Sequence, residues 1–538
     1  MTLRRALAVV VVTLAAGGLV AEDAPGIRFK RVAGDETGIL KIIGQWKTDE
    51  LARHGGKWPR SHGWWPSGVT VLDYDRDGDL DLILAHHGHA KSIILRNNTR
   101  ETATFTFTNV TTELGLKSHE TMISDGKPTV WDFDGDGWLD VAGWSDEHKT
   151  PSYFNRQGKG FAKATFTMHP VSHPGPVVDL NGDGYPDVLY RVRRDFTVEG
   201  RLLYDPEKKI FKHTRVPHAD WARLPEDLGK AITDRLGKQK KIGRKMYKIN
   251  RYMRLFYTRA DLNGDGREDL VVAGYGPYGG DKFGHYLLAG ADGELVEATE
   301  QLGLPENGTP IRVEDVTGDG LPEVLVAHGK TWAGLYVNRG GKFERKAGPL
   351  TDFLVGRDPY LFKAWLADFD NDGDLDVVIS SPRYGRERVF ENLGGGEFKL
   401  VLASPGWDNE PVVICDINDD GKLDLIIGTK DKKKTTDVLI CLNDTPKVGH
   451  FAKILPRMPA PNRYAVGAIV AVFKAGQLGK PGAKPFLIRK AHPDSRPVHV
   501  GLGAADRFDL RVTFPDGKIT ELRQAATGTL TVQPPAGR

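Results

Sequence analysis

Short apolar runs recur along the chain, and each one directly follows a stretch rich in Asp and Gly. The runs read LILA, VAG, VLY, LVVAG, VLVA, VVIS and LIIG. Short runs with many β-branched residues, bounded by turn residues, predict buried strands. The pattern therefore predicts a chain of short strands, each of which is entered through a polar loop.

The polar stretch before each strand is a nine-residue loop that occurs seven times. Side chains with oxygen atoms occupy positions 1, 3, 5 and 9, and Gly occupies position 6. Gly tolerates the sharp turn needed at that point. The copies, numbered loop 1 to loop 7, are DYDRDGDLD (Asp73–Asp81), DFDGDGWLD (Asp132–Asp140), DLNGDGYPD (Asp179–Asp187), DLNGDGRED (Asp261–Asp269), DVTGDGLPE (Asp315–Glu323), DFDNDGDLD (Asp368–Asp376) and DINDDGKLD (Asp416–Asp424).

This loop shares positions 1, 3, 5 and 6 with an EF-hand, but it lacks the rest of that motif. An EF-hand requires a bidentate Glu at position 12 and a helix on each side. None of the seven residues at position 12 is acidic; they are Leu84, Gly143, Tyr190, Val272, Val326, Ile379 and Ile427. Hard cations such as Ca²⁺ take six to eight oxygen ligands. We therefore predict a cation at the entrance of a strand.

The spacing of the loops indicates a repeat architecture. Successive loops begin 47 to 59 residues apart, with one longer gap of 82 residues. Repeats of about 40 to 50 residues that contain strands are typical of β-propeller blades. Hairpin-like phrases with an Asn/Gly turn, SYFNRQGKGF, LYVNRGGKF and VFENLGGGEF, follow several loops. The fold class is predicted to be all-β, a seven-bladed β-propeller.

The first 21 residues have the features of a secretory signal peptide. Arg4 and Arg5 precede an apolar run, Ala6 to Ala16, that is too short to cross a bilayer, and the small residue Ala21 can precede the cleavage site. The prediction is therefore a secreted, periplasmic or cell-surface protein without a membrane span. Net charge is +3 and falls to about +1 without the leader, which argues against nucleic acid as a partner.

Three further features of the sequence have open interpretations. Cys415 and Cys441 either form a disulfide or remain two buried thiols. The cluster His86–His89 is either a transition-metal site or a polar loop, and the latter is favoured. Together with Trp64 and Trp65, this cluster is a candidate enzyme site outside the Asp loops.

The long gap between loops 3 and 4 contains an insertion at about residues 216–255. Pro225 to Gly237 predicts a helix, with Leu228, Ile232 and Leu236 on one apolar stripe. The segment from Lys238 to Arg254 is basic, with interleaved tyrosines. It is either a solvated face, which is favoured, or a surface for an anionic partner such as an acidic polysaccharide.

A Pro-rich stretch at residues 445–463 is predicted to separate the repeats from a second, smaller β region. Beyond it, YAVGAIVAVF, PFLIRKA, PVHVGLG, FDLRVTFPDGKITEL and TGTLTVQ predict strands or strand pairs. The sequence FPDGK within this region is typical of a hairpin turn.

These motifs resemble a known combination of domains. The seven loops and hairpins resemble the FG-GAP/VCBS repeats of integrin-α-type propellers, and the tail from Gly449 to Gln533 resembles the ASPIC/UnbV domain. The order is similar to that of the cartilage-acidic-protein family and its bacterial relatives. The resulting division is a signal peptide at 1–21, the propeller at 22–446 and an ASPIC/UnbV-like β domain at 447–538.

The resemblance implies up to seven structural Ca²⁺ ions, bound by side chains at positions 1, 3, 5 and 9 and by the backbone carbonyl at position 7. Thr317 and Glu323 place loop 5 furthest from the pattern, so the occupancy of that site is left open. The candidate ligands are Asp73, Asp75, Asp77, Asp79 and Asp81; Asp132, Asp134, Asp136, Trp138 and Asp140; Asp179, Asn181, Asp183, Tyr185 and Asp187; Asp261, Asn263, Asp265, Arg267 and Asp269; Asp315, Thr317, Asp319, Leu321 and Glu323; Asp368, Asp370, Asp372, Asp374 and Asp376; and Asp416, Asn418, Asp420, Lys422 and Asp424.

The expected function is that of a secreted, calcium-binding, non-catalytic scaffold for an extracellular protein or polysaccharide, with the chain a monomer. The alternative is a calcium-stabilised propeller enzyme, a lyase or hydrolase acting on polysaccharide, since a fold does not determine a function. No HExxH or GxSxG motif stands out in the sequence. The Asp loops themselves account for most paired carboxylates.

Overall fold

A computed structural model describes most of the chain after residue 25. The described ranges are residues 26–32, 37–53, 66–86, 92–116, 128–143, 151–167, 174–191, 198–237, 239–242, 245–248, 254–275, 282–327, 334–354, 363–380, 387–403, 412–430, 436–446 and 448–536. The predicted signal peptide lies outside them.

Strands dominate these ranges. In chain order they are β1 (Phe29–Arg31), β2 (Pro66–Leu72), β3 (Asp81–His86), β4 (Ile93–Asn97), β5 (Phe107–Asn109), β6 (Thr129–Trp131), β7 (Asp140–Ala142), β8 (Pro151–Asn155), β9 (Phe161–Thr167), β10 (Pro174–Val178), β11 (Asp187–Arg191), β12 (Val198–Asp205), β13 (Ile210–Pro217), β14 (Gln239–Ile242), β15 (Lys245–Lys248), β16 (Arg254–Ala260), β17 (Asp269–Tyr275), β18 (Lys282–Ala289), β19 (Leu295–Glu297), β20 (Thr309–Glu314), β21 (Glu323–Ala327), β22 (Gly334–Asn338), β23 (Phe343–Lys346), β24 (Lys363–Ala367), β25 (Asp376–Ser380), β26 (Arg388–Asn392), β27 (Phe398–Ala403), β28 (Val412–Cys415), β29 (Asp424–Lys430), β30 (Thr436–Asn443), β31 (His450–Pro456), β32 (Ile469–Lys474), β33 (Leu487–Lys490), β34 (Val498–Gly503), β35 (Arg507–Thr513), β36 (Ile519–Ala526) and β37 (Gly528–Val532).

Seven four-stranded antiparallel sheets contain one Asp loop each. In every sheet the loop joins the first strand to the second, and its position 9 is the first residue of the second strand. The predicted order of loop followed by strand is therefore confirmed. In order of their loops, sheets 1 to 7 are β2–β5, β6–β9, β10–β13, β16–β19, β20–β23, β24–β27, and β28–β29–β30 with β1.

The last sheet takes its fourth strand from the other end of the repeat region. β1 pairs antiparallel with β30, so that Phe29 lies opposite Asn443 and Arg31 opposite Cys441. Apolar side chains of this sheet, such as Ile426, also pack against those of sheet 1, such as Val71. The two ends of the repeat region are therefore joined by backbone hydrogen bonds as well as by a shared core.

Six helices are described: α1 (Ile39–Arg53), α2 (Thr99–Thr102), α3 (Ala219–Ala222), α4 (Glu226–Gly237), α5 (Thr299–Leu302) and α6 (Pro349–Leu354). The predicted helix in the insertion is confirmed by α4. Leu228 and Ile232 are buried against Phe283 and Leu287 of sheet 4. The insertion therefore contributes to the core beside sheet 4.

The C-terminal region folds into two small sheets that share one apolar core, with Val470 and Phe508 among its members. The sheet orders are β34–β31–β37 and β33–β32–β35–β36, and β31 pairs parallel with β37. The predicted FPDGK turn is present, since the Phe514 amide donates to the Lys518 carbonyl. The stretch expected to be only a boundary contains the central strand β31.

The two cysteines are buried free thiols on opposite faces of the last sheet. Cys415 packs towards sheet 1 and Cys441 towards sheet 6. Burial raises the pKa of both thiols, that of Cys441 to about 12. Of the two alternatives for this pair, the structure therefore supports the buried thiols. Among the described helices, none has the length and hydropathy to cross a membrane.

Candidate metal centres in the Asp loops

The seven Asp loops close through the same short-range hydrogen bonds. The position 5 carboxylate accepts from the position 7 amide in every loop, for example Trp138 N to Asp136 Oδ1 at 2.9 Å. The position 1 carboxylate accepts from the Gly amide at position 6, for example Gly137 N to Asp132 Oδ2 at 2.8 Å. Gly137 has φ of +91°, a value that favours Gly. The nine-residue spacing is therefore sufficient to shape the loop.

The carboxylate at position 9 connects the loop to the rest of its sheet, a contact that the sequence analysis did not predict. In sheet 2, Asp140 Oδ2 accepts from Phe133 N at 2.8 Å and Oδ1 accepts from Asn155 N at 2.7 Å. The same pair of bonds occurs in all seven sheets, including loop 5, where Glu323 replaces Asp. This residue joins the loop to the third strand of its sheet, whether or not it also contacts an ion.

Three loops bring carboxylate oxygens close enough together to share one cation. In loops 1, 2 and 6, three oxygens lie within 4.8 Å of one another; they belong to Asp73, Asp75 and Asp81, to Asp132, Asp134 and Asp136, and to Asp368, Asp370 and Asp376. Ligands about 2.4 Å from a common Ca²⁺ are at most about 4.8 Å apart. The donor geometry of these loops therefore fits calcium.

Unpaired oxygen atoms in these loops support the same conclusion. Asp132 is only 2% exposed, yet its Oδ1 has no hydrogen-bond partner, and Oδ1 of Asp134 and of Asp73 are also buried without one. A buried carboxylate oxygen without a partner is costly. A bound cation would remove that cost.

The crowded, buried carboxylates of these loops are stabilised either by protonation or by a bound cation. Burial, and then the neighbouring carboxylates, raise the pKa of Asp73 and of Asp132 to about 7. Burial likewise raises the pKa of Glu323 to about 7, although hydrogen bonds from Val316 and Asn338 oppose that shift. In a metal-free chain these groups are therefore partly protonated at neutral pH.

Loops 3, 4 and 5 have weaker donor sets. In loop 3 the amide nitrogen of Asn181 donates to Asp183 Oδ2 at 2.9 Å, and loop 4 repeats this contact between Asn263 and Asp265. In loop 5 the hydroxyl of Thr317 is buried without a hydrogen-bond partner. Fewer charges in a calcium loop are expected to weaken binding.

Loop 7 already holds a cation that belongs to the chain. The ammonium nitrogen of Lys453, from the C-terminal domain, lies 2.5 Å from Asp416 Oδ2 and 2.6 Å from Asp419 Oδ1. Lys453 and Asp416 are both largely buried, with side chains 10% and 5% exposed. Nothing in the local sequence of loop 7 indicates this contact.

A second set of repeated contacts ties neighbouring sheets together at the loops. At the end of the third strand of sheet 6, Asn392 Nδ2 donates to the Leu375 carbonyl of its own loop at 3.1 Å and to the Val316 carbonyl of loop 5 at 2.8 Å. Asn97, Asn155, Asn338 and Asn443 make the equivalent pair of bonds. Sheets 3 and 4 have Tyr204 and Ala289 at this position. We call the five asparagines the Asn tethers.

The C-terminal domain covers the end of the ring at which the Asp loops lie. The Tyr464 hydroxyl donates to the Gly137 carbonyl of loop 2 at 3.0 Å. At loop 6, the amides of Gly449 and Gly503 donate to the carbonyls of Asp370 and Asn371, both at 2.7 Å. Hydrogen bonds to loops 2 and 6 therefore help to hold this domain over the loop end.

The other candidates from the sequence are not placed by the structure. His87–His89, Trp64 and Trp65 lie outside the described residues, as does the side chain of His86. The basic segment contains the hairpin β14–β15, and its side chains also lie outside the described part. The residues on which the enzyme alternative rested therefore have no described geometry.

Comparison with known proteins agrees with this architecture. A family model described as an FG-GAP-like repeat matches residues 132–190, 261–326, 315–379 and 368–427. Each match begins at position 1 of an Asp loop and ends within the second strand of the following sheet.

Among curated proteins, cartilage acidic protein 1 of Homo sapiens is 24% identical over 260 residues, which is 44% of this chain and 38% of the relative. Phosphatidylinositol-glycan-specific phospholipase D of Mus musculus is 33% identical over 148 residues, 23% of this chain and 18% of the relative. The chain thus spans less than two fifths of the length of either relative.

A similar solved structure is that of an Agrocybe aegerita lectin described as recognising non-reducing terminal N-acetylglucosamine. Its TM-score is 0.35 at 17% identity, over 65% of this chain and 81% of that chain. The repeat matches and the seven loop-bearing sheets together show an all-β propeller that contains FG-GAP-like repeats.

Proposed function

We propose that this protein is a secreted, calcium-stabilised propeller that serves as a non-catalytic scaffold for an extracellular protein or polysaccharide. The observation that carries the proposal is the buried, unpaired carboxylate oxygen of Asp132 within a cluster of three carboxylates. A calcium ion would neutralise such a cluster and hold its oxygens together. Millimolar calcium outside cells is sufficient to fill even weak sites.

The chain's own residues have a structural part in this proposal. Positions 1 and 5 shape the loop, position 9 joins it to the third strand, and the Asn tethers join it to the next sheet. Six loops are proposed to bind calcium, while Lys453 takes the place of the ion in loop 7. Because the C-terminal domain covers the loop end, we assign a macromolecular partner to the opposite end or the outer edges of the ring.

Thermal unfolding with calcium and then with EGTA tests the metal. At a hundredfold excess over Kd, each site adds about 2.7 kcal/mol to the free energy of unfolding, so the melting temperature should fall markedly in EGTA. Asp132→Asn should reduce this difference. Asp292→Asn is the matched control, because Asp292 lies in an exposed Asp-Gly hairpin turn and accepts only one backbone bond. An unchanged melting temperature in EGTA would refute structural calcium.

The scaffold role needs a separate measurement. The mature protein is immobilised and screened against a glycan array and extracellular protein fractions, with calcium and with EGTA. Calcium-dependent capture of a ligand without its chemical conversion supports the role. A captured polysaccharide that is shortened during incubation would instead support the enzyme alternative.

A further inference from the structure

A large cavity lies between the centre of the ring and the C-terminal domain. Its volume is about 1140 Å³, above the 300–1,000 Å³ typical of small-molecule sites. The first strands of sheets 1, 2, 5, 6 and 7 line one side, and the segment from Phe486 to Gly501 contributes to the other. Residues of Asp loops 1, 6 and 7, among them Asp79 and Asp419, also line it.

Comparison of equivalent positions on the seven first strands shows that sheets 5 and 6 carry unusual side chains at the cavity wall. The residue three places before each Asp loop lies on the first strand of its sheet. Across the seven sheets these residues are Thr70, Thr129, Pro176, Thr258, Arg312, Trp365 and Val413. Arg312 is the only charged member, and Trp365 is at the same level on the neighbouring sheet. Both line the cavity.

Arg312 is distinguished from the other cations of the cavity by its lack of a partner. Arg489 pairs with Glu314 at 2.6 Å and Arg496 with Asp494 at 2.8 Å. Within the described ranges, Arg312 forms no hydrogen bond or ion pair. Burial lowers its pKa, an effect that Glu314 opposes and Arg489 reinforces. Arg312 is nevertheless an exposed residue that lines the cavity, so its guanidinium is accessible to a ligand.

The surroundings of Arg312 indicate what could bind there. A guanidinium binds a carboxylate with two parallel hydrogen bonds, and the Trp365 side chain is a flat surface suited to a ring. Lys363, two residues before Trp365 on β24, lines the same wall. Thr529 also lines the cavity, and its hydroxyl group can bond to ligand hydroxyls.

We propose that this cavity binds a hexuronic acid, with Arg312 on the carboxylate and Trp365 on the sugar ring. The proposal goes beyond the scaffold function, because it concerns a small acidic sugar inside the molecule and not a macromolecule on its surface. Asp73 and Asp368, two of the candidate calcium ligands, also line the cavity, so the proposal is tested with calcium present.

Isothermal titration calorimetry of the full mature protein in calcium tests the proposal with three probes: sodium D-glucuronate, D-glucose and sodium sulfate. Glucuronate should bind, and glucose should bind at least about tenfold more weakly, since it lacks the charge that Arg312 contacts. Arg312→Gln should weaken glucuronate binding about tenfold or more, and Trp365→Leu should also weaken it.

Arg511→Gln is the matched control, because Arg511 pairs with Glu521 in a solvent-exposed contact. This variant should bind glucuronate like the unmodified protein. Lys363→Gln is a second cavity variant, to be used if Arg312→Gln does not fold. Absence of glucuronate binding, or equal binding by the cavity variants, would overturn the proposal. Sulfate binding as tight as glucuronate binding and unaffected by Trp365→Leu would show an anion site without a sugar site, which also overturns it.

Discussion

The Asn tethers allow a sharp test of how neighbouring sheets are held together. Asn392 is 2% exposed, and its side chain makes three hydrogen bonds: two donated to the carbonyls of Val316 and Leu375, and one accepted from the amide of Gly394 at 3.1 Å. Replacement by Ala leaves these three backbone groups without their partner. An unsatisfied buried polar group costs about 1–3 kcal/mol.

We expect Asn392→Ala to lower the free energy of unfolding by about 3 kcal/mol. For a chain of this length, that corresponds to a fall of about 6 °C in melting temperature, from about 2 °C per kcal/mol. Differential scanning calorimetry in calcium measures both quantities. Asn392→Leu fills about the same volume without a donor or an acceptor, so a comparable loss would assign the effect to the hydrogen bonds and not to a cavity.

Asn109→Ala is the matched control. Asn109 is exposed and accepts bonds only from Thr111, so its loss should cost less than about 0.5 kcal/mol. If Asn392→Ala shifts the melting temperature no more than this control, the tethers do not stabilise the ring and our account of the sheet contacts is wrong.

Three further predictions concern the loops and the domain that covers them. A carboxyl whose folded pKa is raised, such as Asp132 at about 7, stabilises the calcium-free protein at low pH and loses that contribution as pH rises through the folded pKa. The difference in melting temperature between calcium and EGTA should therefore shrink from pH 8 to pH 5.5, and a constant difference would contradict this. Lys453→Met removes the ion pair of the buried Asp416, whereas Asp419 keeps its contact with Arg100. It should therefore destabilise the protein in EGTA by about 3 kcal/mol and raise the calorimetric calcium stoichiometry by one. Lys484→Met, near loop 5, should not change the stoichiometry. Gly501→Ala would place a Cβ 1.8 Å from a loop 6 carboxylate oxygen, so it should loosen the C-terminal domain and speed its proteolysis, whereas Gly44→Ala, with no atom within 4 Å, should not.

Much of the local structure could be predicted from the sequence because it depends on short-range spacing. The bonds that close an Asp loop join residues two to five positions apart, such as Gly137 to Asp132. The strand after each loop follows from its β-branched run, and helix α4 follows from the apolar stripe that contains Leu228 and Ile232. Each of these features is encoded within about twelve residues.

Strand β31 was not predicted from the local sequence pattern. The segment His450–Pro456 lies in a Pro-rich stretch, yet it is the central strand of its sheet because β34 and β37 hydrogen-bond to its two edges. The position 9 carboxylates are a similar case. The sequence predicted them only as ion ligands. In the structure they also accept hydrogen bonds from the third strand, 15 to 20 residues later, and so connect the loop to that strand.

The sequence by itself determined the repeated unit: a loop that can concentrate carboxylates, followed by a strand, seven times over. Only the tertiary structure decided which distant residues contact that unit. Lys453 enters loop 7, β1 completes the last sheet more than 400 residues from its partner, and Arg312 faces a cavity beneath the C-terminal domain. The physical reason is that loop closure uses backbone bonds between near neighbours, while these contacts depend on how separately folded sheets pack, which local spacing does not encode.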